Sequence, residues 1–387
     1  MPVLVADMGG TLTRTKVLVI GMMDSIHLAN WLRHFSSEPV DFQIIPSSPM
    51  RRVHTLIRQL ANSNSNATYS WSPWLVRAAL PIWILDRILD RRLMGRLVRA
   101  KNDIFKPDFV HALEIQGAGY IARRAFHKKR PLKSVHVVTN YGSDIFWFGR
   151  QDRHLTRIVE LLSMTSKYAA ECSRDVLHAK SLGFVGEVMA VQPNAGGFSR
   201  ALLSSELVAP AKRKLIMVKG YHGWVGRAHI ALQSLERISA ELQDYEIVVY
   251  SCNLSTKRLA TRLAKRTGLK ITAHSKGALS HDEMFEKFSQ ALIYVGLSLS
   301  DGISTSMLEA MAMGAIPVQT STACCDEWFS DTGVAIHDLD AEEVSQGIRR
   351  AIDLALTTDS AAKNRETIRA RASREEIAKQ ALAFYQL

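Results

Sequence analysis

Residues 298–318 read Ser298-Leu299-Ser300-Asp301-Gly302-Ile303-Ser304-Thr305-Ser306-Met307-Leu308-Glu309-Ala310-Met311-Ala312-Met313-Gly314-Ala315-Ile316-Pro317-Val318. A short apolar run, Ile293-Tyr294-Val295, precedes them and predicts a strand. A helical pattern then begins near Ser304, where hydroxyls are available as N-cap. Gly314 closes the helix and Pro317 lies in the next strand. The first N–H groups of such a helix have no intrahelical partner and form an anion site. Gly302 lets backbone come close to a phosphate there, beside Ile303, Ser304 and Thr305. Glu309 lies about one and a half turns into the helix. At that depth a carboxylate suits the diol of a ribose rather than a phosphate. Asp301, ahead of the helix, points a second carboxylate at whatever the phosphate carries. Phosphate, ribose and a third polyhydroxylated group together describe a nucleotide sugar.

The same grammar extends outward. Strand-like runs are predicted at Lys16–Ile20, Phe42–Ile45, Phe109–His111 and Val135–Thr139, and again at Leu215–Lys219, Glu246–Tyr250, Lys270–Ala273, Ala291–Val295 and Ala315–Gln319. Strands alternating with helices mean βαβ units and parallel sheets covered on both faces. Two such halves, joined by a linker around 195–212, predict an α/β protein of two Rossmann-like, doubly wound domains facing a cleft. The expected division is a first domain over 16–200, a second over 201–374, and a helix over 375–387 crossing back to the first. Residues 62–72 are polar and predict a loop. Residues 74–101 predict one amphipathic helix, with Leu85, Ile88, Leu89, Leu93 and Leu97 at helical spacing and Arg87, Arg91, Arg92, Arg96 and Arg99 between them.

The decisive stretch resembles the retaining glycosyltransferases of family 4, of the GT-B fold. Their signature is two acids separated by seven residues, then Ala-Met-Ala-x-Gly-x-Pro-Val. Here these are Asp301, Glu309 and Ala310–Val318. Cys325-Asp326-Glu327-Trp328, Gln192-Pro193-Asn194 and Lys106–His111 are similar to further family segments. The resemblance implies that Glu309 holds the ribose hydroxyls, Asp301 meets the transferred sugar, and the backbone of Gly302, Ile303 and Ser304 meets the phosphates. The family's basic pair after the first strand of the second domain is absent in its usual spacing. Lys219 and Arg227, in Lys219-Gly220-Tyr221-His222-Gly223-Trp224-Val225-Gly226-Arg227, stand in for it. The His-Gly of the first domain is replaced by Tyr141-Gly142-Ser143-Asp144, so no histidine role carries over, and Asp144 remains as a polar group. Asp24 and His27, after Gly21, are candidates to meet the acceptor. The implied reaction is retaining transfer of a sugar from a nucleoside-diphosphate donor to a glycan or lipid-linked acceptor, with no cofactor and no metal. A non-catalytic sugar-nucleotide binder and a nucleotide-sugar epimerase of the same architecture are the alternatives.

Composition narrows the surroundings. The chain has 387 residues, 22% charged and 47% hydrophobic, so it is globular and long enough for two domains. No apolar run approaches the about 20 residues of a spanning helix. The first residues lack the basic start of a signal peptide. Val3–Thr13 resembles the first motif of the haloacid-dehalogenase phosphatases, but Gly9 replaces its second Asp, so residues 1–15 are expected to be an extension. Four cysteines without CxxC spacing point to a reducing compartment, and no histidine–acid cluster has metal-ligand spacing. Residues 1–200 hold 27 of the 49 Lys and Arg but 15 of the 37 Asp and Glu, so they carry the whole net charge of +12. No nucleic-acid module accompanies it. An anionic membrane surface at the cytoplasmic face is the expected partner, with a peripheral location.

Overall fold

Val17, Leu18, Val19 and Ile20 are all fully buried, and they alternate between two cores. Leu18 and Ile20 pack on one face of their sheet, Val17 and Val19 on the other. This is what a continuous β-branched and aliphatic run achieves when both faces of a parallel sheet are covered. The computed structural model of the chain describes residues 14–127, 133–194 and 196–387. The extension expected at residues 1–15 falls almost wholly outside them.

The chain divides into two units, one of residues 1–196 with Ala378–Leu387, the other of Gly197–Ile377. In the first unit, β1 (Thr15–Gly21), β2 (Val40–Pro46), β3 (Thr68–Trp71), β4 (Phe109–Leu113), β5 (Val135–Thr139), β6 (Lys167–Ala169) and β7 (Glu187–Val188) form one parallel sheet, in the order β3-β2-β1-β4-β5-β6-β7. The order reverses between β1 and β4, which opens a crevice at their carboxyl ends. In the second unit, β8 (Leu215–Lys219), β9 (Glu246–Cys252), β10 (Lys270–Ser275), β11 (Ala291–Gly296), β12 (Ile316–Thr320) and β13 (Val334–Ile336) form a parallel sheet in the order β10-β9-β8-β11-β12-β13. Its switch point lies between β8 and β11. Ile216 and Val218 face one core and Leu215 and Met217 the other. The α/β architecture of two Rossmann-like units is thus the one the alternating pattern predicts.

Two expectations are corrected. The polar stretch at 62–72 contains β3, which pairs with β2 alone among the described strands and buries Tyr69 while Thr68 and Ser70 stay exposed. The segment 74–101 is three helices, Pro73–Arg77, Ala79–Ile88 and Arg92–Phe105. Pro81 explains the first break, because its ring would clash with the Arg77 carbonyl in a continuous helix. Asp90 and Arg91, at φ +45° and +62°, make the second. The arginines do not form one cationic face. Arg91 is largely buried, Arg99 donates to the Ala125 carbonyl, and Arg87 lies over the Trp83 ring.

The helix Arg374–Ala383 leads into a chain end that is pinned in the first unit. Trp31 Nε1 donates to the Tyr385 hydroxyl at 3.1 Å, and that hydroxyl lies 2.7 Å from His111 Nδ1. The other ring nitrogen, Nε2, lies 2.7 Å from Thr139 Oγ1, so both nitrogens of the buried ring have a hydroxyl partner. Burial lowers the His111 pKa to about 3, consistent with a neutral ring in this chain.

Candidate functional site

β8 ends at Lys219, and the loop that follows turns back on itself. His222 bridges Arg227, and Gly226 bridges Ser298 on the segment after β11. Arg227 N donates to Leu297 O at 3.0 Å and Leu299 N to Val225 O at 2.9 Å. A Cβ at Gly226 would collide with the backbone of Tyr221, so only glycine permits so tight a return. Two hydrogen bonds, from Arg227 Nη1 to Gly223 O at 3.1 Å and to Gly226 O at 2.8 Å, draw the guanidinium onto the loop it closes. The loop after Lys219 therefore meets residues 297–299 at the switch point of the second sheet.

The helix predicted after the loop runs Thr305–Ala312, with Ser304 as N-cap and Gly314 at φ +83° just past its end. A Cβ at Gly314 would lie 2.7 Å from Leu207 and 2.9 Å from Arg213, so the stop is fixed by space as well as by backbone. The Ser304 side chain does not cap its own helix. Its hydroxyl lies 3.4 Å from Lys219 Nζ and 3.3 Å from the Tyr294 hydroxyl. Met307 and Leu308 N–H both reach back to Ser304 O, which leaves the N–H groups of Thr305 and Ser306 at the positive end of the helix. Gly302 and Ile303 are buried under this turn, and Asp301 Oδ1 accepts from Gly302 N at 3.0 Å.

Electrostatics bind these groups together. Burial pulls the Lys219 pKa down, but Tyr294, Asp301, Glu309 and Tyr221 outweigh it, so the ammonium is retained. Burial pushes Glu309 up to about 7, with Lys219 opposing. His281 Nδ1, on the neighbouring helix His281–Gln290, stands 4.0 Å from Glu309 Oε1. The second unit thus brings Lys219, Arg227, Asp301, Gly302, Ile303, Ser304, Thr305 and Glu309 to one end of one sheet. The arrangement places an ammonium beside a helix N-terminus, a combination suited to an anion, with a largely buried carboxyl one turn deeper.

Tyr294 and His281 are members of this cluster that the sequence reading passed over. Tyr294 carried a signal, since its hydroxyl sits in an otherwise apolar buried strand and must find a partner. His281 carried none beyond its place at a helix start.

Asp24 and Asp144 lie in the first unit. Asp24 Oδ1 accepts from the Ser48 hydroxyl at 2.8 Å, after β1. Asp144 Oδ2 accepts from Ile115 N at 2.7 Å and Tyr141 N at 3.0 Å, so its carboxyl shapes the backbone after β4 and β5. Burial, and then the charge of Glu114, push its pKa well above the usual carboxylate range. The rings of His27 and Tyr141 lie 5.7 Å apart, and His27 Nδ1 is 3.1 Å from Asn194 O.

Residues 212–353 match the family model of the group 1 glycosyl transferases. No curated protein matches the chain in sequence. Among solved structures it is similar to a glycosyltransferase from Rickettsia africae (13% identity, TM-score 0.65, 96% of this chain and 98% of that one). It is also similar to the sucrose-phosphate synthase of Thermosynechococcus elongatus (14%, TM-score 0.65, 96% and 98%). A third likeness is to Anabaena HepE, solved with UDP-glucose (12%, TM-score 0.68, 96% and 100%). The chain accordingly has the GT-B fold, and the stretch that matches the group 1 glycosyl transferase model lies within its second unit.

Proposed function

We propose that the chain transfers a sugar from a nucleoside-diphosphate donor to a glycan or lipid-linked acceptor, with retained anomeric configuration and no metal. The observation that carries this reading is the juxtaposition of Lys219 with the N-terminus of the Thr305–Ala312 helix above the partly buried Glu309. The donor's diphosphate lies against Lys219 and the Thr305 and Ser306 N–H groups, and Glu309 accepts from the ribose hydroxyls. As the sugar–phosphate bond lengthens, negative charge grows on the leaving diphosphate. A fixed ammonium and fixed backbone dipoles stabilise that charge without reorganising. Arg227 closes the loop beside it. Asp301 meets the transferred sugar, and the first unit, through Asp24 and the loop shaped by Asp144, meets the acceptor. The basic first unit works at an anionic membrane surface on the cytoplasmic side.

A panel of UDP-, GDP- and ADP-sugars tests this, led by UDP-glucose, the molecule bound in the HepE structure. Product anomers read by NMR match the donor's if the reading holds, and inverted products overturn it. Donor binding without transfer or hydrolysis favours a non-catalytic sugar-nucleotide binder. Conversion of the donor's own sugar favours an epimerase.

A further inference from the structure

The loop after β8 brings two imidazoles together. Nδ1 of His222 and Nδ1 of His229 lie 3.1 Å apart, with ring centroids 4.6 Å apart and planes at 70°. Both rings are half-buried. At that distance the two nitrogens cannot both carry a proton, so at least one lone pair points at the other ring. Unlike His127 beside Glu160 and His281 beside Glu309, neither ring has a carboxylate within ion-pair reach among the described residues. The Arg227 guanidinium, between them in sequence, is committed to the carbonyls of Gly223 and Gly226.

The backbone holds both rings in place. His222 O accepts from Asn253 Nδ2 at 2.8 Å, and Asn253 is itself fixed as the N-cap of the helix Leu254–Thr267. His222 also bridges Arg227 across the tight return. His229 lies in the first turn of the helix Ala228–Arg237, and Ala228 N donates to Tyr221 O at 3.3 Å. Metal–imidazole bonds are about 2.0–2.1 Å long, so two nitrogens 3.1 Å apart subtend about 100° at an ion bound to both. That angle lies between the square-planar and tetrahedral ideals. Among the described residues no third histidine, cysteine or carboxylate has a ligand atom within 4.8 Å of both, which leaves the other coordination positions to water.

We propose that His222 and His229 together bind a divalent late transition ion, of the zinc, nickel and copper class, through their Nδ1 atoms, each ring keeping its proton on Nε2. Neutral imidazole is a ligand for these ions, whereas Mg²⁺ and Ca²⁺ take oxygen. His222 precedes Gly223 and His229 follows Arg227, so one ion ties together the two ends of the segment that carries the Arg227 guanidinium. The ion braces a loop and takes no part in the metal-free transfer proposed above. Failure of either reading leaves the other standing.

The experiment is calorimetric titration of the untagged full chain with Ni²⁺ alone, without nucleotide, followed by hydrogen exchange over residues 222–229. The wild type binds Ni²⁺, and His222→Ala and His229→Ala each weaken it by about tenfold or more, since even the outer partners of metal ligands cost that much when removed. His222→Gln and His229→Gln, which keep a polar side chain and an unchanged Tm without metal, show the same loss. His337→Ala, at an exposed histidine outside the pair, binds as the wild type does. Ni²⁺ slows exchange over 222–229 and raises Tm in the wild type and not in the pair variants, and Mg²⁺ does neither. Two results overturn the proposal. One is a wild type that takes up no Ni²⁺. The other is a set of pair variants that bind Ni²⁺ as tightly as the wild type, since the two rings would then share a hydrogen bond and nothing more.

Discussion

Lys219 Nζ stands 3.4 Å from the hydroxyl of Ser304, so the last residue of β8 and the N-cap of the Thr305–Ala312 helix share one polar point. A positive side chain and the positive end of a helix approach each other there. Asp301 and Glu309 offset part of that positive charge.

Lys219→Met is expected to weaken UDP binding by about tenfold or more, since hydrogen bonds to charged groups contribute about 1.5–3 kcal/mol each. Uridine, which lacks the diphosphate, should lose little. Calorimetric titration of both ligands checks the contrast, and an equal loss for both would refute the phosphate role.

Glu309→Gln should lower UDP affinity while raising the stability of the free protein near neutral pH. The folded pKa of about 7 lies above the ordinary glutamate value of 4.5. The folded state therefore holds its proton where the unfolded chain has released it, and stability falls as pH rises between those values. Glutamine removes that dependence. Urea unfolding of both proteins at pH 5 and pH 8 should show the wild type losing stability relative to the variant, and parallel behaviour contradicts a raised Glu309 pKa.

Asp301→Asn retains an oxygen for the Gly302 N–H, so the turn before the helix should persist. UDP affinity should stay within about threefold, a shift under 1 kcal/mol, while sugar transfer drops by about a hundredfold or more. Matched losses in binding and turnover would place Asp301 in the turn alone.

Activity should survive EDTA, because Lys219 and the helix N-terminus supply the positive charge. Turnover that collapses with chelator and returns with Mg²⁺ or Mn²⁺ would remove this account.

Tyr385→Phe deletes the hydroxyl that joins Trp31 to His111. Two buried ring nitrogens lose a partner, at a cost of about 1–3 kcal/mol. Urea unfolding followed by tryptophan fluorescence should show an earlier transition, and an unchanged midpoint argues against the network.

β5 and β8 were legible from sequence to the residue, because each is an apolar run bounded by polar or glycine residues. β6 and β7 were not. They span three and two residues, and Lys167 in β6 is buried only because its ammonium reaches Phe384 O and Glu187. The Thr305–Ala312 helix and its two acids were legible because loop, cap, acid spacing and glycine stop agreed. The Lys219–Ser304–Tyr294 contacts depend on β8 and β11 being neighbours, a long-range fact that no local pattern carries. The break after Ile88 was hidden for a different reason. Asp90 and Arg91 adopt left-handed backbone without glycine, and tertiary packing of Asp86 under Met94 N holds them there.

The pinning of Tyr385 bears on how the chain comes off the ribosome. The second unit is one unbroken stretch, whereas the core of the first contains Ala381, Phe384 and Tyr385. During synthesis the sheet that begins with β1 must wait, with Trp31 and His111 unsealed, until the remaining residues have been made. Sequence separation of 354 residues between Trp31 and Tyr385 makes this contact slow to close. The unit translated first is therefore expected to be the unit completed last.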